Sequence, residues 1–210
     1  MSFVRVFPAF ALTALILAMV PGQGVAMVLR QCLVGGARCA MASVFGNATG
    51  LIIWGTSAAV GLSQVFAHSQ LAYNILKFAG VAYLSFLAVL TLVSLRRSSG
   101  AFDTNTMAVT QTFAAYRLGL ITNLTNVKAA VFAVAFIPQF VPRSFPLGPG
   151  IVVLSFVQAV VSLAWYTGLV AAVHRGAPTL TRPTVRRVLT AISAVGLLTL
   201  ALVLLLSSSR

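Results

Sequence analysis

Acidic residues are almost absent from this chain. Its 210 residues include 14 Lys and Arg but a single Asp or Glu, which is Asp103. An aspartyl protease needs two carboxylates, so the composition excludes that class of membrane enzyme. The basic residues are spread between apolar runs and do not cluster on one soluble face. The net charge of +13 is therefore typical of a membrane topology signal and not of a nucleic-acid partner.

Cysteine and histidine are scarce as well. Cys32 and Cys39 are too few for a disulfide framework, and their spacing matches no metal motif. His68 and His174 lie in different loops near the ends of apolar runs. A zinc protease needs clustered His and acidic ligands, and a serine–histidine dyad needs a histidine at membrane depth, so both are excluded. We expect no metal, no cofactor and no enzymatic activity.

Apolar residues make up most of what is present. The chain is 60% hydrophobic and 7% charged, with a mean hydropathy of +1.02. A soluble domain carries roughly a quarter charged residues, so this chain is expected in a lipid bilayer. Six apolar runs each reach the ~20 residues that cross the ~30 Å hydrocarbon core as a helix. The runs cover residues 7–29, 39–67, 71–95, 118–141, 147–173 and 188–206.

The six runs predict an all-α integral membrane protein with six transmembrane helices in a single domain, residues 1–210. Residues 1–97 and 118–210 form two three-helix halves, joined by a polar cytoplasmic loop at 98–117. Because each half has an odd number of spans, the second half begins on the opposite side of the membrane from the first. Two similar halves are then inverted relative to each other and form a 3+3 inverted repeat, as in many secondary transporters. Each half begins with a helix that we expect to be broken, at "PGQG" (21–24) and at "NLTNVK" (123–128). A signal peptide in residues 1–28 is the competing interpretation, but the apolar run continues through Leu29.

The basic residues also predict the orientation of the chain, because loops that stay in the cytoplasm carry an excess of Lys and Arg. The loops after the first, third and fifth spans contain Arg30, Arg38, Arg96, Arg97, Arg117, Arg175, Arg182, Arg186 and Arg187. The opposite side has fewer, namely Arg5, Lys77, Arg143 and Arg210. We therefore expect both termini to lie outside the cytoplasm.

Polar and helix-weakening residues from several spans lie at similar depths. A rise of ~1.5 Å per residue from the nearest cytoplasmic arginine places Pro21, Asn47 and Tyr166 ~14 Å deep. The same count places Lys128 ~16 Å deep, so these residues converge near the middle of the bilayer. The predicted binding site consists of Pro21, Gly22, Gln23, Gly24, Asn47, Asn123, Asn126, Lys128 and Tyr166.

Lys128 is the most informative residue of this layer. A cation at the bilayer centre costs about 2.5–3.5 kcal/mol, and no acidic residue lies in any span to pair with it. Its partner is either a substrate carboxylate or, in a packing role, the carbonyls of an unwound helix and Asn side chains. Asn123 and Asn126 leave the same alternatives open, substrate contact or interhelical amide contacts. Gln158 and Ser162, one turn apart, either pack against a neighbour or line a polar cavity.

Three segments of the chain resemble the LysE/RhtB family of amino-acid exporters. "PGQGVAMVLRQCLVGGARCAMASVFGNATG" (21–50) is similar to the family's Pro-Gly-Pro-Asn-like break, followed by an arginine and a glycine-rich turn. "NLTNVKAAVFAVAFIPQF" (123–140) is similar to the family's fourth span, and "LKFAGVAYLSFLA" (76–88) to its Leu-Lys…Gly…Tyr-Leu pattern. Gln23, Gly24 and Val127 stand where the family usually has Pro, Asn and Pro.

The resemblance implies a proton-driven exporter (an antiporter) of a small amino acid or related metabolite in the bacterial cytoplasmic (inner) membrane. It places the family's broken-helix motifs on Pro21, Gly22, Asn123, Asn126 and Lys128. No acidic residue is available to favour a dibasic substrate, so a neutral amino acid is expected. The alternative is a passive channel or a diverged non-transporting membrane protein. Lipid-facing glycines leave a homodimer open.

Overall fold

The computed structural model describes residues 6–20, 22–68, 70–96, 109–142, 144–175 and 183–206. These residues form nine α-helices and one π-helical turn, and the described ranges contain no β-strand. The helices are α1 (Val6–Met19), α2 (Gln23–Val34), α3 (Gly36–His68), α4 (Gln70–Arg96), α5 (Thr112–Leu124), α6 (Val127–Val131), α7 (Ile137–Phe140), α8 (Leu147–His174) and α9 (Pro183–Leu206), with the π-helical turn Phe132–Phe136 between α6 and α7.

A helix break occurs at each of the two places that the sequence indicates. The axes of α1 and α2 differ in direction by 61°, and the break between them contains Pro21, which lies outside the described residues. The axes of α5 and of Val127–Phe140 differ by 57°. At this second break Asn126 caps α6, because its side-chain oxygen accepts a hydrogen bond from the backbone N–H of Lys128 at 3.0 Å.

The described helices are those of a multi-pass membrane protein. Gly36–Gly61 within α3 and Leu147–His174 are each long and apolar enough to cross a bilayer alone. Counting each bent pair as one span raises the number to four, and α4 contains a shorter apolar stretch, Phe78–Val93.

Helix packing places α3 in the middle of the fold. It packs along both α5 and α8, while α4 packs against α9 and α1 against α8 and α9. The backbones of α3 and α5 are in contact: a Cβ atom added to Gly46 would lie 2.0 Å from the carbonyl oxygen of Tyr116. A Cβ added to Gly119 would lie 2.0 Å from the carbonyl oxygen of Ser43, so the crossing requires a glycine on each helix.

Aromatic side chains join the two broken helices. Phe10 of α1 lies 6.1 Å from Phe132 and 5.3 Å from Phe140, measured between ring centroids. Phe136 stacks on Phe132 at 4.9 Å, and the π-helical turn places both of these rings in the buried core. Packed rings therefore hold α1 of the first half against the π-helical turn and α7 of the second half.

The polar loop ends earlier than the sequence indicates, because α5 begins at Thr112 and not at residue 118. Ala115 is fully buried, so helix packing continues beyond the apolar run. Just before α5, the side-chain amide of Gln31 exchanges two hydrogen bonds with the backbone of Val109, and the Cys39 thiol donates to the carbonyl of Thr110 at 3.1 Å. These contacts fix the start of α5 against the turn between α2 and α3.

Candidate functional site

Lys128 extends from the second break to the first. Its ammonium group donates to the carbonyl oxygen of Leu17 at 3.1 Å and to that of Val20 at 3.4 Å. In an unbroken helix the Leu17 carbonyl would accept from the N–H of residue 21, and proline has none. Lys128 supplies this donor, and its positive charge lies at the negative end of the α1 dipole.

The carbonyl contacts are the packing alternative that the sequence left open for Lys128. These contacts occupy two of the three N–H donors of the Lys128 ammonium group, so one donor remains. The remaining donor leaves room for a ligand. The side chain also lines two cavities, one on each side of it.

The larger cavity has a volume of about 360 Å³ and lies where the two breaks meet. That volume is at the lower end of the range for small-molecule sites. One wall belongs to the breaks and the other belongs to α4. The lining residues are Val20, Gly22 and Gln23 of the first break, Asn126, Val127 and Lys128 of the second, and Tyr83, Leu87, Leu90 and Thr91 of α4.

The smaller cavity, about 30 Å³, lies on the α3–α8 side of Lys128. Asn126 and Lys128 line this cavity as well. The other polar lining residues come from α3, α5 and α8 and are Asn47, Asn123, Gln158, Ser162 and Tyr166. The Asn123 amide donates to the side-chain oxygen of Asn47 at 3.0 Å. The Oδ1 atom of Asn123 and the Oε1 atom of Gln158 are buried, and neither has a hydrogen-bond partner among the described residues.

Gly24 is required where α2 passes over the smaller cavity. A Cβ atom at this position would lie 2.7 Å from the hydroxyl oxygen of Tyr166 and 3.8 Å from Oδ1 of Asn47. The glycine therefore lets the buried Tyr166 hydroxyl approach the α2 backbone. Gly22 is different, since its nearest neighbours would be 3.9 Å away, at Lys128 Nζ and at the carbonyl oxygen of Val20.

The structure brings most of the predicted site residues together. Gly22 and Gln23 line the larger cavity, while Asn47, Asn123 and Tyr166 line the smaller one. Asn126 and Lys128 line both cavities. Gly24 lies against Tyr166 in the wall of the smaller cavity. Pro21 lies outside the described residues.

The α4 wall was missed by the sequence analysis. Leu87, Leu90 and Thr91 lie inside an apolar run that contains no helix breaker, so nothing marks them as cavity residues. Tyr83 had one available signal, because it is the tyrosine of the 76–88 segment that carries part of the family resemblance. The wall is mostly apolar, with a hydroxyl at Tyr83 and at Thr91.

The two cavities have the chemistry of a binding site. Lys128 is the one charged side chain among the described residues that line them, and amides and hydroxyls supply the other polar groups. In the described part of the chain no three His, Cys, Asp or Glu residues come close enough to hold a metal ion. A cation beside uncharged donors and acceptors suits a small ligand with a carboxylate.

Comparisons with known proteins agree with one another. The sequence model described as "LysE type translocator" matches residues 15–208. The chain is 36% identical over 161 residues to the homoserine/homoserine lactone efflux protein of Salmonella typhimurium, covering 76% of each protein. It is 27% identical over 158 residues to the leucine efflux protein of Salmonella choleraesuis, covering 75% of this chain and 74% of the relative.

A third relative is an uncharacterized membrane protein of Vibrio cholerae, 30% identical over 176 residues, with 82% of this chain and 84% of the relative covered. No solved structure matches the chain.

Proposed function

The chain belongs to the LysE type translocator family, whose members are efflux transporters and not enzymes, and we propose that it exports a small neutral amino acid or a related metabolite from the cytoplasm. The observation that carries this proposal is the larger cavity, where both helix breaks meet beside a single cation, Lys128. Two relatives named for efflux of homoserine, homoserine lactone and leucine support an amino-acid substrate.

In the proposed binding mode the substrate carboxylate faces Lys128 and the start of α2. Gly22 and Gln23 lie at that helix start, where backbone N–H groups lack intrahelical partners and the helix dipole is positive. Broken helices hold substrate carboxylates in this way in other secondary transporters. No acidic side chain lines either cavity among the described residues, so nothing there favours a second positive charge on the substrate.

We propose that six spans form the 3+3 inverted repeat and that the two halves rock about the cavity, driven by the proton gradient. The packing supports this arrangement. Exchanging the halves matches α3 with α8 and α4 with α9, and both of these pairs are in contact. The same exchange replaces α3 by α8 and α5 by α1. The contact between α3 and α5 in the structure therefore corresponds to the contact between α8 and α1. The inner-membrane location, the external termini and a homodimer belong to the same proposal. They are supported by the family, by the charge pattern of the loops and by the lipid-facing glycines, respectively.

The test is flux of labelled L-homoserine and L-leucine in proteoliposomes, with and without an imposed pH difference. Wild-type protein is expected to give saturable flux that responds to the pH difference. Lys128→Met should lower that flux about tenfold to hundredfold, the value of a charge-assisted hydrogen bond. Folding should change little, because the two lost carbonyl contacts are offset by the cost of about 2.5–3.5 kcal/mol that the buried cation no longer imposes.

Arg117→Met is the matched control, because it removes an exposed basic side chain on α5 outside both cavities. Its flux should equal that of the wild type. Unchanged flux in Lys128→Met would remove the role assigned to that lysine. Flux that neither saturates nor responds to the pH difference would identify the alternative, a passive channel.

A further inference from the structure

The smaller cavity has a chemistry of its own, which the carboxylate site does not explain. Two of the residues that line it, Asn123 and Gln158, each have a buried side-chain oxygen (Oδ1 and Oε1) that accepts no hydrogen bond from the described residues. Both side chains are buried, at 2% and 3% exposure. A buried polar atom without a partner costs about 1–3 kcal/mol, so its presence at a cavity calls for a ligand that donates hydrogen bonds.

Three further polar side chains of this cavity, those of Asn47, Ser162 and Tyr166, can also accept hydrogen bonds. Asn47 Oδ1 already accepts from Asn123, and a carbonyl oxygen has a second lone pair. The hydroxyls of Ser162 and Tyr166 line the same space and can each accept. An ammonium group has three donors and no acceptor, so one such group can donate to both unpaired amide oxygens.

Size restricts the ligand group further. A volume of about 30 Å³ accommodates a group about the size of a water molecule, such as an ammonium, but not a long side chain. The neighbouring cavity, about 360 Å³, shares Asn126 and Lys128 as lining residues and has room for the rest of a small molecule. One ligand can therefore occupy both spaces around the end of Lys128.

We propose that the smaller cavity binds the α-ammonium group of the exported amino acid and that Gln158 is a specificity-determining residue for it. This assignment rests on the proposed function of the same site. The carboxylate then lies at Lys128, and the substrate side chain extends into the larger cavity toward Tyr83, Leu87 and Thr91 of α4. The protein selects a zwitterion and allows an uncharged side chain of either polarity.

The charges around the smaller cavity agree with this orientation. Among the described residues that line it, from α1, α3, α5, α6 and α8, Lys128 is the one charged side chain. A lone cation in the cavity would be repelled by Lys128. The zwitterion brings its own carboxylate to lie between the two positive groups, so both are paired.

The test compares an amino acid with its α-hydroxy acid, in which a hydroxyl replaces the ammonium. L-leucine is paired with 2-hydroxy-4-methylpentanoate and L-homoserine with 2,4-dihydroxybutanoate, whichever amino acid the wild type transports. Competition against labelled amino acid in proteoliposomes gives the preference. In Gln158→Leu the preference for the amino acid should fall about tenfold, because the charged ammonium loses more with the amide oxygen than the neutral hydroxyl of the hydroxy acid does.

Gln158→Asn keeps an amide and withdraws its oxygen by one methylene, so an intermediate loss of preference is expected even if the leucine variant folds poorly. Gln111→Leu is the control, because it makes the same chemical change at an exposed residue outside both cavities. Equal losses for amino acid and hydroxy acid, or no change in preference, would overturn the assignment of Gln158. Absence of wild-type amino-acid flux would instead refute the proposed function.

Discussion

The contact between Gly24 and the Tyr166 hydroxyl predicts a rescue between two substitutions. In Gly24→Ala the new methyl group would lie 2.7 Å from the hydroxyl oxygen, closer than atoms of these types approach without movement. Overpacking of a buried site costs about 1–3 kcal/mol. Replacing Gly by Ala in a helix returns at most about 1 kcal/mol, so we expect the clash to prevail and the variant to be less stable.

Tyr166→Phe should restore the stability of Gly24→Ala. Without the hydroxyl, the nearest Tyr166 atom to the new methyl is the ring carbon Cζ at 3.4 Å, which is an ordinary contact. The two substitutions should therefore be coupled by about 1–3 kcal/mol, with the double variant more stable than the two single effects predict.

Thermal unfolding of the purified protein in detergent measures the coupling, since 1 kcal/mol corresponds to about 2–4 °C for a chain of this size. Gly22→Ala is the matched control, because its methyl would meet nothing closer than 3.9 Å. Gly168→Ala is a second control, with no atom within 4 Å. If Gly24→Ala lowers the melting temperature equally in the wild-type and Tyr166→Phe backgrounds, the close approach that we describe is not what requires glycine.

Two further predictions concern the packing that supports the site. Gly46→Ala should destabilise the protein by about 1–3 kcal/mol or more, because its methyl group meets the α5 backbone. Gly61→Ala is the control in the same melting assay. Its methyl group enters open space, so its stability should stay within about 0.5 kcal/mol of the wild type. Asn47→Ala should cost about 1–3 kcal/mol by leaving the Asn123 amide unpaired, and the Asn47→Ala/Asn123→Ala double variant should cost less than the sum of the single changes; additive costs would contradict the hydrogen bond.

The helix breaks could be read from the sequence because their causes are local. Pro21 removes a backbone donor, and the second break has Asn126 at the position of a helix cap. The depth count also placed Asn47, Lys128 and Tyr166 in one layer, and the structure brings all three to the same small cavity. Local chemistry and helical rise were sufficient for these residues.

The rest of the site depends on which helices become neighbours, and an apolar run does not specify its neighbour. The α4 wall is the main example, since Leu87 and Leu90 look like lipid-facing residues until α4 lies across the breaks. The same is true of Gln158, whose unpaired oxygen is visible only in three dimensions. The sequence also could not decide between a substrate carboxylate and helix carbonyls as the partner of Lys128. Leu17 and Lys128 are 111 residues apart, and sequence periodicity does not report a contact over that separation.

The hydrogen bond between Lys128 and Leu17 also sets an order of events during synthesis. The acceptor is made 111 residues before its donor, and chains grow at about 5–20 residues per second. The end of α1 therefore waits on the order of ten seconds with a carbonyl that no backbone N–H of its own helix can satisfy. During that time water or the insertion machinery must solvate the broken first helix. The hydrogen bonding of the first half is therefore completed only when the second half enters the bilayer.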